Sequence, residues 1–262
     1  MSTMESNLYE LANNASKLVH PPHPYYPLDA SIVGYLANET SVPQLLGIFF
    51  STCFALFTTT YFVAKRIQST LSTAELVTIM WFVLSGCIHI FFEGYYALYF
   101  ADLGAHQSLI GQMWKEYAFS DSRYLTNNAF VLCMETVTAA CWGPGCLIVA
   151  AMIVLRNPWR FPLQALVSFG QFYGDVLYFA TCAFDHVVMG ISYSRPEQFY
   201  FWFYFFFMNF IWIVIPGCEY TSVHTDGNGK ADMTADLIAE ASMKAAQAIG
   251  TVQKMEMSKK AK

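Results

Sequence analysis

The sequence predicts an all-α integral membrane protein, a bundle of five transmembrane helices. Three observations lead there. Of the 262 residues 55% are hydrophobic and only 13% are charged, about half the charged share of a soluble domain. Five apolar runs have the length, roughly 20 residues, that crosses about 30 Å of hydrocarbon as a helix. Their apolar residues do not alternate as the strands of a membrane barrel would, and lipid tolerates no other backbone arrangement.

Residues 1–43 are polar and proline-rich, and read as a lumenal N-terminal segment. They lack the basic start and apolar core of a cleavable signal, so the first span is expected to serve as an uncleaved anchor. The spans are expected at 44–64, 76–100, 127–155, 162–184 and 199–217, forming one domain over 44–217. Ser72 and Glu75 have capping-box spacing at the start of the second span. Pro162 suits the first turn of the fourth, and Pro216-Gly217 is expected to close the fifth. Residues 218–262 read as a cytosolic tail, with a loose Ala-rich helix over 231–258. The seven cysteines lie in or beside the apolar runs without paired loop spacing, and read as small hydrophobes. The net charge of −5 is spread over termini and loops and suggests no nucleic-acid partner.

Five spans put the termini on opposite sides. One side collects Lys65, Arg66, Arg156, Arg160 and the tail lysines; the other holds Lys17, Lys115, Arg123 and Arg195. The positive-inside bias then places the C-terminus in the cytosol and the 101–126 loop in the lumen. The terminal Lys259-Lys260-Ala261-Lys262 fits a dilysine retrieval signal of the endoplasmic reticulum, and equally a solvated basic end. Asn14 and Asn38 head glycosylation triplets on the expected lumenal side, Asn38 very near the membrane.

Several long apolar runs carry ionisable or amide side chains: His89 and Glu93, Glu135, Asp175 and Asn209. Such groups at mid-bilayer depth are costly unless they meet a partner, a cavity or a substrate. Counted from the loop side they lie at roughly 11–16 Å, a common level on helices that alternate in direction. His89 and Glu93 share a helix face at i,i+4; Glu135, Thr138 and Trp142 form a second stripe, and Asn209 with Trp212 a third. Gln171, Asp175 and Tyr178 make a fourth, beside Gly170 and Gly174, whose spacing allows close helix contact. Packed inward, these stripes would line an apolar cavity. Asn209 reads equally as an interhelical hydrogen-bonding residue, and Asp175 as scaffold paired with Gln171 or a tyrosine. The aromatic run Phe199 to Phe207 reads mostly as lipid-facing bulk.

One histidine with two glutamates could hold a metal, but acid–base work fits better and no metal is expected. A carboxylic acid kept protonated beside an ionised neighbour can protonate one carbon and deprotonate another. Carboxylates and an indole face would also hold a cation. The expected substrate is a lipid and the expected intermediate a cation.

The residues His89-Ile90-Phe91-Phe92-Glu93-Gly94, Trp114-Lys115-Glu116-Tyr117, Asp121-Ser122-Arg123-Tyr124, Met134-Glu135-Thr136-Val137-Thr138, Gln171-Phe172-Tyr173-Gly174-Asp175 and Met208-Asn209-Phe210-Ile211-Trp212 resemble the emopamil-binding protein family. So does His23-Pro24-Tyr25, and the likeness runs over about 20–217 in family order. The resemblance implies a five-span sterol Δ8–Δ7 isomerase of the endoplasmic reticulum that works without a cofactor. His89 and Glu93 would handle the proton, and Glu135 would stabilise the cation or share the acid–base work. Thr138, Asn209, Trp212, Asp175 and Tyr117 would bind the substrate. Asp121 and Arg123 would organise a lid. Partners implied are the sterol, cationic amphiphilic inhibitors, membrane lipid and, in a homodimer, a second copy. The rival reading is a non-catalytic sterol-binding or trafficking protein of the same fold. Phe119-Ser120 departs from the Lys-Gly of many family members.

Overall fold

A computed structural model describes residues 22–225. The Asn14 triplet, the helix expected over 231–258 and the terminal lysines lie outside the described residues. Within them the chain is all helical. Six helices follow in order: α1 (Val42–Ile67), α2 (Thr73–Tyr99), the short α3 (Leu109–Tyr117), α4 (Ala129–Val154), α5 (Arg160–Val188) and α6, which starts at Tyr200–Phe207 and continues as Met208–Thr225.

Each start has a local cause. Ser72 accepts the Glu75 N–H while Glu75 returns to the Ser72 N–H, the capping box expected for α2. Ser41 and Gln44 repeat that device on α1, ahead of Pro43 in its first turn. Asn128 caps α4 by accepting from Val131 N–H. Pro162 sits in the first turn of α5, as expected.

Among the described residues, α1, α2, α4 and α6 are long and apolar enough to cross a membrane. α5 differs: its 29 residues span about 43 Å, but its inward face carries Gln164, Ser168, Gln171 and Asp175. A helix that buries polar side chains against its neighbours loses the apolar signature while keeping the length.

The end of α6 departs from expectation. The helix does not close at Pro216-Gly217 but runs to Thr225 through the proline. Glu219 explains the continuation: it accepts from Thr78 Oγ1 at 2.9 Å and from Gln164 Nε2 at 2.7 Å, tying this last stretch to α2 and α5. Those contacts offset the one backbone hydrogen bond that proline removes.

Two apolar layers fill the bundle. One joins Trp81, Phe82, Cys146, Val149, Ile153 and Val167 towards the 68–72 and 155–159 turns. The other joins Tyr96, Trp114, Tyr124, Val131, Tyr178 and Phe205 towards the 101–126 loop. That loop is not slack. It folds as α3 and a short 3-10 turn at Ser122–Tyr124, and Tyr25 and Ile32 from the N-terminal segment bury themselves against it. Phe119, one of the two residues that depart from the family pattern, stacks on Tyr25 with centroids 4.8 Å apart. The seven cysteines are free, and the exposed rings of the 199–207 run outnumber the buried Tyr204 and Phe205.

Candidate active site

Between the two apolar layers lies a polar layer. α2 and α4 approach closely there because Gly86 and Gly143 face each other's helices. A Cβ on Gly143 would come within 2.6 Å of Ile90 Cγ1 and 3.2 Å of His89 Cβ, and one on Gly86 within 3.1 Å of the Gly143 carbonyl. Beside this contact both helices open into a wider π-helical turn, at Ile88–Glu93 on α2 and Thr138–Trp142 on α4. Such turns re-aim side chains and recur at functional sites. Here they point Glu93 and Thr138 at each other.

The contacts form a chain. His89 Nδ1 and Glu93 Oε2 are 2.7 Å apart, a hydrogen bond between the imidazole and the carboxyl group. Thr138 Oγ1 donates to the same Glu93 oxygen, lies 2.9 Å from the Glu135 carbonyl and 3.4 Å from Glu135 Oε2. Tyr124 Oη donates to Glu135 Oε1 at 2.6 Å. On the far side of the imidazole, Gln171 Nε2 lies 2.9 Å from His89 Nε2. His89 and Glu135 are 1% and 4% exposed, so little of this network meets its surroundings. Trp212 turns its ring at 73° to the imidazole with centroids 6.5 Å apart, and packs on Trp81.

The common depth read from the sequence therefore brings His89, Glu93, Glu135, Thr138 and Trp212 together. It does not bring in Asn209. That amide is taken up by Tyr117 of α3: Asn209 Nδ2 lies 2.8 Å from Tyr117 Oη and 2.5 Å from the Phe205 carbonyl. Asn209 and Tyr117 form a separate joint near the loop end, whose Tyr117 ring packs beside Tyr124. Asp175 is buried but pairs with neither Gln171 nor a tyrosine; its Oδ2 has no hydrogen-bond partner among the described residues. Tyr178, the tyrosine nearest on the same stripe, donates instead to Asp121 Oδ2 at 2.5 Å. Gly170 is a close-contact position, where a Cβ would meet the Trp142 ring at 2.5 Å, but Gly174 faces open space.

Tyr124 and Gln171 are the site neighbours that sequence reading left off the candidate set. Both stand in the quoted motifs, yet nothing in their spacing says which carboxyl or ring nitrogen they reach. Above them, Arg123 is fully buried and forks onto Asp121, with Nη2 to Oδ2 at 2.7 Å and Nε to Oδ1 at 3.0 Å. It also donates to Thr181 Oγ1 at 2.9 Å, which fastens the loop to α5. Among the described residues no three His, Cys, Asp or Glu side chains converge to hold a metal. A surface hollow of about 780 Å³ beside α1, lined by Gln44, Gly47, Ser51 and Leu109, lies away from the polar layer.

A helical membrane bundle with a buried imidazole–carboxylate layer is the class of protein defined here. The EBP family pattern, described as EXPERA (EXPanded EBP superfamily), matches residues 109–220, which include Tyr124, Glu135, Thr138, Gln171, Asp175 and Trp212. The chain is 37% identical over 201 residues to the 3-beta-hydroxysteroid-Delta(8),Delta(7)-isomerase of Cavia porcellus, covering 75% of this chain and 85% of that protein. It is 39% identical to the proteins of the same name from Mus musculus and Rattus norvegicus, with 75% of this chain and 84% and 85% of those proteins covered. The chain belongs to the emopamil-binding protein family.

Proposed function

We infer that this protein is an isomerase that moves the ring double bond of a sterol from Δ8 to Δ7. The observation that carries the reading is the joining of two carboxyl groups and an imidazole, through Thr138, inside an apolar bundle. The reaction needs a proton donor and a proton acceptor and nothing else. A proton is added at carbon 9, with the C8=C9 electron pair forming the new C–H bond and leaving a cation at carbon 8. A base then removes a proton from carbon 7, and that electron pair becomes the C7=C8 bond. The change is redox-neutral and calls for no cofactor.

His89, Glu93 and Glu135 are the groups that exchange protons with the sterol. The His89–Glu93 hydrogen bond and the Thr138 hydroxyl give a path along which the proton taken from carbon 7 can return to the donor. The carboxyl groups stabilise the cation at carbon 8, and the Trp212 face adds cation–π attraction. The same features would hold cationic amphiphilic molecules as mimics of that cation. Thr138 and Trp212 bind the substrate directly, whereas Asn209 and Tyr117 hold α3 against α6.

We also propose that α5 crosses the membrane with the other four long helices, giving five spans and a cytosolic C-terminus in the endoplasmic reticulum. The packing of α5 between α4 and α6 and the distribution of basic residues support this. Lipid would cover the exposed rings of α6. A homodimer would use outward faces of the bundle.

The test is turnover. Purified protein in detergent or nanodiscs should convert a Δ8-sterol such as zymosterol to its Δ7 isomer, without added cofactor, by mass-resolved chromatography. Binding of the sterol without conversion would favour the non-catalytic reading instead.

A further inference from the structure

The inward stripe of α5 is polar from end to end: Gln164, Ser168, Gln171, Asp175 and Tyr178 recur at helical spacing and all are buried. Its two ends are satisfied, Gln164 by Glu219 and Tyr178 by Asp121. Its middle is not. Ser168 Oγ, Gln171 Oε1 and Asp175 Oδ2 have no hydrogen-bond partner among the described residues, and the last two, one turn apart, need a donor.

The Gln171 orientation is fixed by its neighbour. In the neutral ring that donates Nδ1–H to Glu93, Nε2 is an acceptor, and the Gln171 amide presents N–H to it. The carbonyl oxygen is then the Gln171 atom left without a partner. An amide oxygen is a pure acceptor, and a carboxyl group keeps acceptor capacity in either protonation state. A buried acceptor left bare costs on the order of 1–3 kcal/mol, and a buried carboxylate more. Two side by side call for a donor.

α2 and α5 both run from the turn end to the loop end, so Asp175, one turn beyond Gln171, lies level with Glu93, one turn beyond His89. A flat ring system that puts its B-ring carbons beside Glu93 and Glu135 would extend its neighbouring A ring towards Asp175. A 3β-hydroxysterol has one hydrogen-bond donor, the hydroxyl on that ring.

We propose that Asp175, with Gln171 Oε1 beside it, is the acceptor for the 3β-hydroxyl of the substrate, and so sets both the selectivity for free sterols and the register of the ring over the proton-handling groups. This rests on the isomerase reading, which supplies the substrate. Asp175 is a substrate-binding residue in this assignment and takes no part in proton transfer to carbon.

The experiment compares substrates across variants. A Δ8-sterol and its 3-O-methyl ether differ in the donor hydrogen while the ether keeps its oxygen. Wild-type protein should prefer the free sterol in kcat/KM by at least about tenfold, because the ether leaves both acceptors bare. Asp175→Leu should bring the ratio to within about threefold of unity. Asp175→Asn should recover the ether selectively, because the amide can donate to the ether oxygen. Equal losses on both substrates in both variants, with the wild-type preference intact, would overturn the proposal. Melting of each variant in detergent checks folding. A second measurement separates this from the isomerase reading: the affinities of a saturated 3β-hydroxysterol and its methyl ether, neither of which can react. If wild type shows no turnover yet loses its binding preference in Asp175→Leu, the isomerase reading fails and the hydroxyl anchor stands. If turnover is present and the binding preference is unchanged in the variant, the anchor fails alone.

Discussion

Replacing Tyr124 by Phe removes one oxygen and should cost turnover far more than stability. Tyr124 Oη donates to Glu135 Oε1 at 2.6 Å, and the two residues are each only 4% exposed. Without it Glu135 keeps its neighbour Glu93 and the 3.4 Å approach of Thr138 Oγ1, the latter too long to hold a carboxyl group in place. A hydrogen bond to a charged group contributes about 1.5–3 kcal/mol. If that stabilisation acts on the carboxylate facing the cation, the barrier rises by the same amount and kcat falls about 10–150-fold. The ring itself stays, packed against Trp114 with centroids 4.5 Å apart and against Tyr96 at 5.1 Å, so the loop should keep its place. The assay is initial-rate conversion of a Δ8-sterol over a substrate series, with a melting curve of the same preparation. The expected result is a lowered kcat, a KM within about threefold of wild type and a melting shift of a few degrees. An unchanged kcat would refute the argument that Tyr124 fixes a working Glu135. A collapse of both kcat and melting temperature would make the tyrosine structural.

Glu93→Gln and Glu135→Gln should each lower kcat at least about tenfold, roughly 1.4 kcal/mol of barrier, and normal turnover in both would remove these groups from the chemistry. Gly143→Ala should push against Ile90 and His89, costing about 1–3 kcal/mol of stability and displacing the imidazole, so melting and kcat both fall. Gly174→Ala, whose Cβ meets nothing within 4 Å, is its control and should be neutral in both. Lys115 on α3 is buried, donates to the Leu36 carbonyl at 2.7 Å, and has its pKa pushed down by burial to about 8. The unfolded lysine, near 10.4, then binds more protons than the folded one between about pH 8 and 10, so stability should rise with pH across that window. Lys115→Met should flatten the rise in detergent melting curves; an unaltered slope would assign it to other groups.

Depth along a helix was legible because it depends only on residue number, and that sufficed to gather His89, Glu93, Glu135 and Thr138. Lateral placement was not. Asn209 has the right depth and shares a stripe with Trp212, yet its amide is claimed by Tyr117, from a helix inside what read as a loop. The wide turns at Ile88–Glu93 and Thr138–Trp142 leave no mark in hydrophobic spacing, because they follow from how α2 and α4 meet at Gly86 and Gly143. Capping pairs such as Ser72 and Glu75 were readable because both partners lie in one turn. Pro216 misled for the converse reason: what keeps α6 helical past it is Glu219 reaching Thr78 and Gln164, distant in sequence.

How a membrane bundle carries so many ionisable groups follows from who partners whom. His89 is held between Glu93 and Gln171, Glu93 also takes Thr138, and Glu135 takes Tyr124. Arg123, the largest fully buried side chain, is matched by Asp121 and anchored to Thr181. Each of these groups has exchanged water for a protein partner, which is the condition for keeping polar groups at that depth. Within the long helices, the described side chains that have made no such exchange include the hydroxyls of Ser85, Tyr96 and Ser168, the amide oxygen of Gln171 and, as the one carboxyl group, Asp175. Asp175 stands one turn from the unpartnered Gln171 amide oxygen, and a ligand hydroxyl is the donor proposed for it. The substrate then completes the polar layer, and an analogue without the hydroxyl hydrogen leaves it broken.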